Sequence, residues 1–466
     1  MEVVRMKIQE LLSYDQDLLI TGITDDSREV KKGYLFVATH GFHVDHYDYI
    51  EDAIQNGCVF VVCDREISFD IPHVVVEDVN LTYIELCQKF YGVRPDEFHL
   101  IGVTGTDGKT TTTTVVKELI GDCAYIGTNG VDVGNQSFDT HNTTPCISEL
   151  YEDLSIIKKN HCDTVSMEVS SEALLHDRVH GFQFDIIGFT NITGDHLNVH
   201  NSFEEYMACK MRLLDHVKKD GWIVYNGDDE HLQKIKHPNS YSFGFGSHNQ
   251  YLISQVDYQK RKTLITLTYG KEKWEIVSPY VGKYNVYNIV MAFVMGRLYG
   301  IEDSVLLDKI QKLKPIKGRC EFLDFGQEYD IVLDYAHTIN GISSILDTFR
   351  NYENVIVVTG CAGGRETAKR PIIGNMIIER SDYAIFTMDD PRYESVDAII
   401  DQMVGDSKDY YRYADREEAI HFALSIAEPG SVVLILGKGR DNYMAIEDKK
   451  VPYNDYDVIS KYFKKE

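Results

Sequence analysis

The stretch His99-Leu100-Ile101-Gly102-Val103-Thr104-Gly105-Thr106-Asp107-Gly108-Lys109-Thr110-Thr111 decides how this chain folds. His99–Val103 is strand-length and apolar on both faces, which suits a strand covered by helices on both sides. Gly105–Thr110 is a glycine-bearing turn, and Thr111–Ile120 continues as a helical segment. Strand, turn and helix in this order are what a phosphate loop requires. Its backbone N–H groups and the helix dipole would cradle phosphates, Lys109 would neutralise β/γ charge, and Thr110 could ligate Mg2+. The general pattern G-x-x-x-x-G-K-[ST] would place glycine at 103, where this chain has Val103, so the match is to the shorter G-T-x-G-K-[ST]. The plain alternative is a glycine turn that only caps a helix.

Outward from this segment, strand and helix alternate almost throughout. Short β-branched runs occur at Leu35–Ala38, Val59–Cys63, Thr164–Val169, Asp185–Thr190, Asp330–Ala336, Asn354–Gly360, Tyr383–Met388 and Ser431–Leu436. Most are apolar on both faces, which predicts an α/β fold with parallel sheets. Gly92-Val93-Arg94-Pro95-Asp96 and the basic joint Lys312–Gly318 predict three domains over 1–96, 97–313 and 314–466. These are a small N-terminal α/β domain, a central phosphate-loop ATPase-like parallel sheet, and a C-terminal Rossmann-like domain.

Two strands after the phosphate loop end in polar clusters, Met167-Glu168-Val169-Ser170-Ser171 and Thr190-Asn191-Ile192-Thr193-Gly194-Asp195-His196. In an open α/β sheet ligands sit beyond the carboxyl ends of the strands. Glu168 and His196 therefore become candidates to face the phosphates and hold Mg2+. Taken singly, Glu168 reads as a helix cap and His196 as an interior histidine. Lys210 lies on an amphipathic helix, where a lysine is usually solvated, and spacing alone gives it no role.

The net charge of -26 gives no basic stripe, which argues against nucleic acid as a partner. Nine cysteines, with no C-x-x-C pair, fit a reducing cytoplasm better than zinc or disulfides. The first residues lack the apolar core of a signal peptide, and no run approaches the length of a membrane helix. A cytoplasmic monomer is the expectation.

Taken together, the chain resembles the Mur ligase family, ATP-dependent amide ligases of cell-wall precursor synthesis. The carrying segments include Ile23–Ala38, Gly102–Thr111, His141–Pro145, Met167–Val179, Phe189–His200, Tyr206–Leu214, Gly282–Asn288, Gly318–Glu321, Asp334–His337, Gly360–Pro371, Asp389–Arg392 and Gly437–Tyr443. The resemblance implies that Gly105, Thr106, Asp107, Gly108, Lys109, Thr110 and Thr111 bind ATP phosphates. It implies that Thr110, Glu168, His196 and a carbamylated Lys210 hold Mg2+. Asn288 would approach adenine, and Arg319, Asp334 and His337 the ribose and phosphates. Ser27 and His43 fall where a uridine end binds, and Asn142, Thr143, Thr144, Ser170, His176 and Arg178 where a sugar–peptide stem binds. Arg365, Asp389, Asp390, Pro391, Arg392, Gly437 and Asp441 match the pocket for the incoming amino acid.

Five positions in four motifs depart from the family's usual pattern: Glu172 for His, Ile339 for Pro, Arg440-Asp441 for His-Glu, and Asp390 for the Asn of the diaminopimelate form. None is an ATP or metal position. The implied reaction attaches a diamino acid to the D-glutamate side chain of UDP-N-acetylmuramoyl-L-alanyl-D-glutamate through an acyl phosphate. Arg392, assisted by Arg365, could pair with the distal carboxylate of meso-diaminopimelate, unless Arg392 is a surface arginine paired with Glu394. Asp390, expected to be extended before Pro391, and Asp441 would instead suit the distal ammonium of L-lysine, the alternative amine. A folate polyglutamylating type of ligase and a non-catalytic nucleotide-binding protein are the remoter readings. The Asp26–Arg28 block and DDPR argue against the first, and the presence of Lys109, Glu168, His196 and Lys210 against the second.

Overall fold

A computed structural model describes residues 4–40, 45–193 and 202–464. Three α/β layers follow one another along the chain. A four-stranded parallel sheet is built from Gly22–Thr24, Tyr34–Val37, Cys58–Cys63 and His73–Val75. The helix Val79–Tyr91 packs on Ile147–Lys159 and merges the small sheet's core with that of the next layer.

The central sheet has eleven strands. His99–Thr104 lies in its interior, flanked by Thr164–Glu168 on one side and Phe184–Phe189 on the other, all parallel. Its core positions are fully buried on both faces, as the unbroken apolar run predicts. One edge of the sheet departs from the expected alternation of strand and helix. Tyr251–Gln259, Lys262–Tyr269 and Glu272–Ser278 form an antiparallel meander. Buried and open residues alternate along Lys262–Tyr269, the period of a strand with one solvated face. Gly270, at φ +57°, makes its second turn.

The third layer is a six-stranded sheet. Asp330–Asp334, Val432–Leu436, Val355–Thr359 and Tyr383–Phe386 are adjacent and parallel. Its floor carries a fully buried ion pair: the Arg416 guanidinium donates to both Asp455 oxygens at 2.8 Å and to the Leu436 carbonyl at 2.9 Å. This ties two helices to the end of a central strand. Arg416→Ala would strand the Asp455 carboxylate, and a loss of about 3–5 kcal/mol is expected. Urea unfolding followed by circular dichroism checks it, and a change under about 1 kcal/mol would show that the pair anchors little. Among the described residues no helix is long and apolar enough to cross a membrane.

Candidate active site

The phosphate loop closes on itself and on its neighbours. Gly105 has φ +148°, and a Cβ there would lie 1.8 Å from Thr190 Oγ1. Gly108 has φ +87°, and a Cβ would lie 2.4 Å from Asn288 Oδ1. Both positions therefore require glycine. The helix Lys109–Ile120 starts immediately after Gly108. The loop is clamped by the strand end at 190–193: Thr106 N–H donates to the Asn191 carbonyl at 2.9 Å, Asp107 N–H to Asn191 Oδ1 at 3.0 Å, and Thr190 Oγ1 to the Asp107 carbonyl at 2.6 Å. Lys109 Nζ donates to the carbonyls of Gly105 and Thr106 at 2.8 and 2.9 Å.

Glu168 is fully buried at the end of its strand, opposite Val103. Ser170, not Glu168, caps the helix that follows, Ser171–Leu175. Its carboxylate accepts from Tyr125 OH at 2.5 Å, Thr128 N–H at 3.0 Å and Thr110 Oγ1 at 3.0 Å. Thr110 Oγ1 in turn accepts from Arg319 at 3.1 Å, across from the third layer. The Thr110 hydroxyl and Glu168 carboxylate are oxygen donors of the kind a hard divalent cation takes. No cluster of three His, Cys, Asp or Glu occurs among the described residues. Mg2+ ordinarily completes its shell with water and substrate phosphates, so this pair fits it. His196 and His43 lie outside the described residues.

Lys210 corrects the expectation of a solvated lysine, being only 1% exposed. Ser202 caps the helix Phe203–Met211, whose inner face carries Tyr206 and Lys210, one turn apart. Tyr206 OH meets Thr106 Oγ1 at 2.9 Å, and Lys210 Nζ donates to the Gly105 carbonyl at 2.8 Å. The helix is therefore docked on the phosphate loop.

Two cavities flank the loop. One, of about 380 Å³, is lined by Asn288, Arg319, Asp334 and His337 together with Asp107, Gly108 and Thr111. Burial pushes the Asp334 carboxyl up, though it accepts backbone N–H bonds from Cys320 at 2.6 Å and Ala336 at 2.7 Å. The other, of about 390 Å³, runs from Lys109, Thr110 and Glu168 to Arg365, Asp389, Asp390, Arg392, Gly437 and Asp441. All but Arg365, Arg392 and Asp441 sit at or within about a turn of a strand's carboxyl end or on the phosphate loop. A third cavity, of about 700 Å³, holds Ser27, Asn142, His176 and Arg178. Thr144 links it to the strand end: its hydroxyl donates to the Glu168 carbonyl at 2.9 Å and accepts from Ser170 N–H at 2.9 Å, while its carbonyl accepts from Arg178 at 3.1 Å. Thr143 lines the cleft beside Glu168.

The DDPR segment departs from expectation in three ways. Asp390 is not extended but has φ +45°, as Arg392 has +50°. Its bonds hold it there: Oδ1 accepts from Lys438 and from Ala445 N–H, both at 2.8 Å, and its carbonyl accepts from Gly363 N–H at 3.0 Å. Glu394 does not pair with Arg392. Its carboxylate takes the fully buried Arg370 at 2.7 Å and Gly364 N–H at 2.6 Å, and the Arg370 bond leads the causes that hold it down at about 2. Arg392 Nη1 instead donates to the Gly363 carbonyl at 3.2 Å. Lastly, Asp390 and Asp441 share the buried Lys438 ammonium, at 2.8 and 3.1 Å. Sequence reading passed over Lys438, Arg370, Tyr125 and Tyr206. Only Lys438 carried a local signal, its place in Gly437-Lys438-Gly439.

Fold and site define an α/β protein in which a phosphate loop faces the strand ends of a second parallel sheet. The chain belongs to the Mur ligase family. Residues 19–89 match the Mur ligase family catalytic domain, 103–296 the Mur ligase middle domain, and 318–439 the Mur ligase glutamate ligase domain. A relative from Bacillus velezensis, a UDP-N-acetylmuramoyl-L-alanyl-D-glutamate–2,6-diaminopimelate ligase, is 34% identical over 98% of both chains. A Geobacillus thermodenitrificans protein of the same name is 35% identical over 94% of this chain and 93% of its own. A solved structure of a ligase of this name superposes with TM-score 0.66 at 27% identity over 99% of each chain. The MurF ligase of Thermotoga maritima, solved with ADP, shares the fold at TM-score 0.65 and 18% identity over 95% of this chain and 97% of its own.

Proposed function

We propose that this chain is the ATP-dependent ligase that joins meso-diaminopimelate to the D-glutamate side chain of UDP-N-acetylmuramoyl-L-alanyl-D-glutamate. One observation carries the reading. Lys109, Thr110 and Glu168 share a single cleft with Arg365, Asp389 and Arg392, so a phosphoryl group and an incoming amine would meet in one space. The names of relatives that match nearly end to end agree with it.

In this reading the three sheets are three domains, with joints near 96 and 313, that bind the UDP-substrate, ATP and the amino acid. The nucleotide base and ribose lie along Asn288, Arg319, Asp334 and His337. Ser27, His43, Asn142, His176 and Arg178 hold the UDP-substrate, and Thr143, Thr144 and Ser170 lead its peptide to the cleft. Mg2+, held by Thr110, Glu168, His196 and carbamylated Lys210, would supply charge neutralisation at the phosphates. Lys109 and the helix N-terminus draw the γ-phosphoryl group onto the D-glutamate carboxylate. That transfer breaks the bond to the β-phosphate oxygen and releases ADP; the deprotonated amine then attacks the acyl phosphate carbon, and the tetrahedral intermediate expels phosphate and loses the remaining amine proton, leaving the amide. Positioning and charge stabilisation carry such chemistry, with no protein nucleophile. Closure of the sheets on one another keeps water from the acyl phosphate. The protein acts as a cytoplasmic monomer.

Amide formation with the UDP-dipeptide, ATP and a panel of amino acids tests this. Product with diaminopimelate supports it, and ATP-dependent product with other amines alone overturns the choice of amine. Arg392→Ala should cut kcat/KM for diaminopimelate about ten- to a hundredfold, the worth of one charge-assisted pair, with far less effect on lysine. Equal loss for both amines would remove Arg392 from the selecting role.

A further inference from the structure

The amine pocket poses a charge problem. Asp389, Asp390 and Asp441 line the same cleft as Arg365 and Arg392. Carboxylates there should repel an amino acid with a second carboxylate and welcome one with a second ammonium. Behind the wall, outside the lining, stands Lys438, 1% exposed. Its ammonium lies 2.8 Å from Asp390, 3.1 Å from Asp441, and over the ring of Tyr443 at 5.2 Å. Gly437 brings the chain in at φ +106°, where a Cβ would lie 2.2 Å from Asp389 Oδ2, so the backbone runs close against Asp389. Burial pulls the Lys438 ammonium down, but Asp389, Asp441 and Asp390 outweigh it and the net direction is up. Ala445 N–H adds a second donor to Asp390.

We propose that Lys438 is an internal counter-ion that sets amine selectivity: shared by Asp390 and Asp441 from behind, it supplies the third positive charge that, with Arg392 and Arg365, balances the three aspartates, so that the substrate's distal carboxylate meets the two arginines in a pocket that is no longer net anionic. This rests on the diamino-acid reading of the site. Lys438 is a positioning residue, acting through the two aspartates. It also accounts for the aspartate at 390: the extra negative charge is matched by a lysine already in the fold, so it need not select for lysine as substrate.

The test is competition between diaminopimelate and L-lysine, read as the ratio of their kcat/KM values, with KM for ATP and for the UDP-dipeptide measured alongside. Lys438→Met should lower the ratio about tenfold or more and leave the two other KM values in place. Lys438→Met with Asp390→Asn removes one charge of each sign and should return the ratio to near the wild-type value. Asp390→Asn alone should raise the ratio, and it tests the same charge balance should the lysine variant not fold. An unmoved ratio in Lys438→Met, a double variant that stays as low as the single, or a ratio in Asp390→Asn that does not rise would each overturn the proposal. Wild-type enzyme that favours diaminopimelate while the variants behave so sinks the counter-ion alone. Wild-type enzyme that joins neither amine sinks the reading of the site and the counter-ion with it.

Discussion

Lys109→Ala is expected to cut ATP-dependent ligation by at least about 100-fold, the scale seen when a preorganised group facing developing charge is removed. The ammonium sits at the helix start and bonds the Gly105 and Thr106 carbonyls, so it is held in the loop that would wrap the phosphates. Across the cleft, Arg319 reaches the Thr110 hydroxyl at 3.1 Å. That guanidinium approaches from the opposite sheet and cannot take Lys109's place inside the loop. The loss should fall mainly on kcat, because charge moves during phosphoryl transfer and the ground-state nucleotide keeps its backbone N–H contacts. The fold should be untouched: the loop is clamped by Asn191 and Thr190, neither of which depends on the lysine. Circular dichroism should match wild type, with stability lowered by no more than about 1–2 kcal/mol for the two lost ammonium bonds. Near-normal turnover by the variant would sink the assignment of the phosphate site.

Much of this was legible along the chain because its signals are local. The run His99–Val103 and the glycines after it specify a buried strand and a tight turn whatever surrounds them. Glu168 gained its meaning from a strand that ends beside that turn, which the parallel alternation of elements predicts. Three features were not legible, each for a physical reason. The meander over 251–278 is read only if its period of two is given more weight than the surrounding α/β rhythm. The conformation of Asp390 is set by Lys438, Ala445 and Gly363, distant in sequence, and these override the restriction imposed by Pro391. The partner of Glu394 is the buried Arg370, one of several arginines nearby in sequence, and only packing chooses among them. Charge pairs of this kind depend on which side chains the fold buries together, and composition is silent on that.

The same limit governs Lys210, whose replacement by alanine should cost ligation about 100-fold or more and be partly reversed by added short carboxylates. On a helical wheel it is one more polar residue. In the fold it lies under the phosphate loop, 1% exposed, its Nζ 2.8 Å from the Gly105 carbonyl and 4.6 Å from the Tyr206 ring centre. A lysine is seldom buried so deeply without a specific role. The ammonium first gives up one proton; the neutral amine then adds to CO2, forming an N–C bond and releasing a second proton, so that the cation becomes a carboxylate-like anion. The carbamate keeps one N–H, so the bond to Gly105 survives the change. Its oxygens would be hard donors of the kind a divalent cation takes. A purely structural lysine makes a different forecast: alanine would lower stability through the lost Gly105 bond, and no small anion would restore activity. Rescue by formate or acetate, with a carbamate carbon signal from enzyme equilibrated with 13C-bicarbonate, is the expected result. Absence of both in active wild-type enzyme and its alanine variant would leave Lys210 as a strut for the phosphate loop and no more.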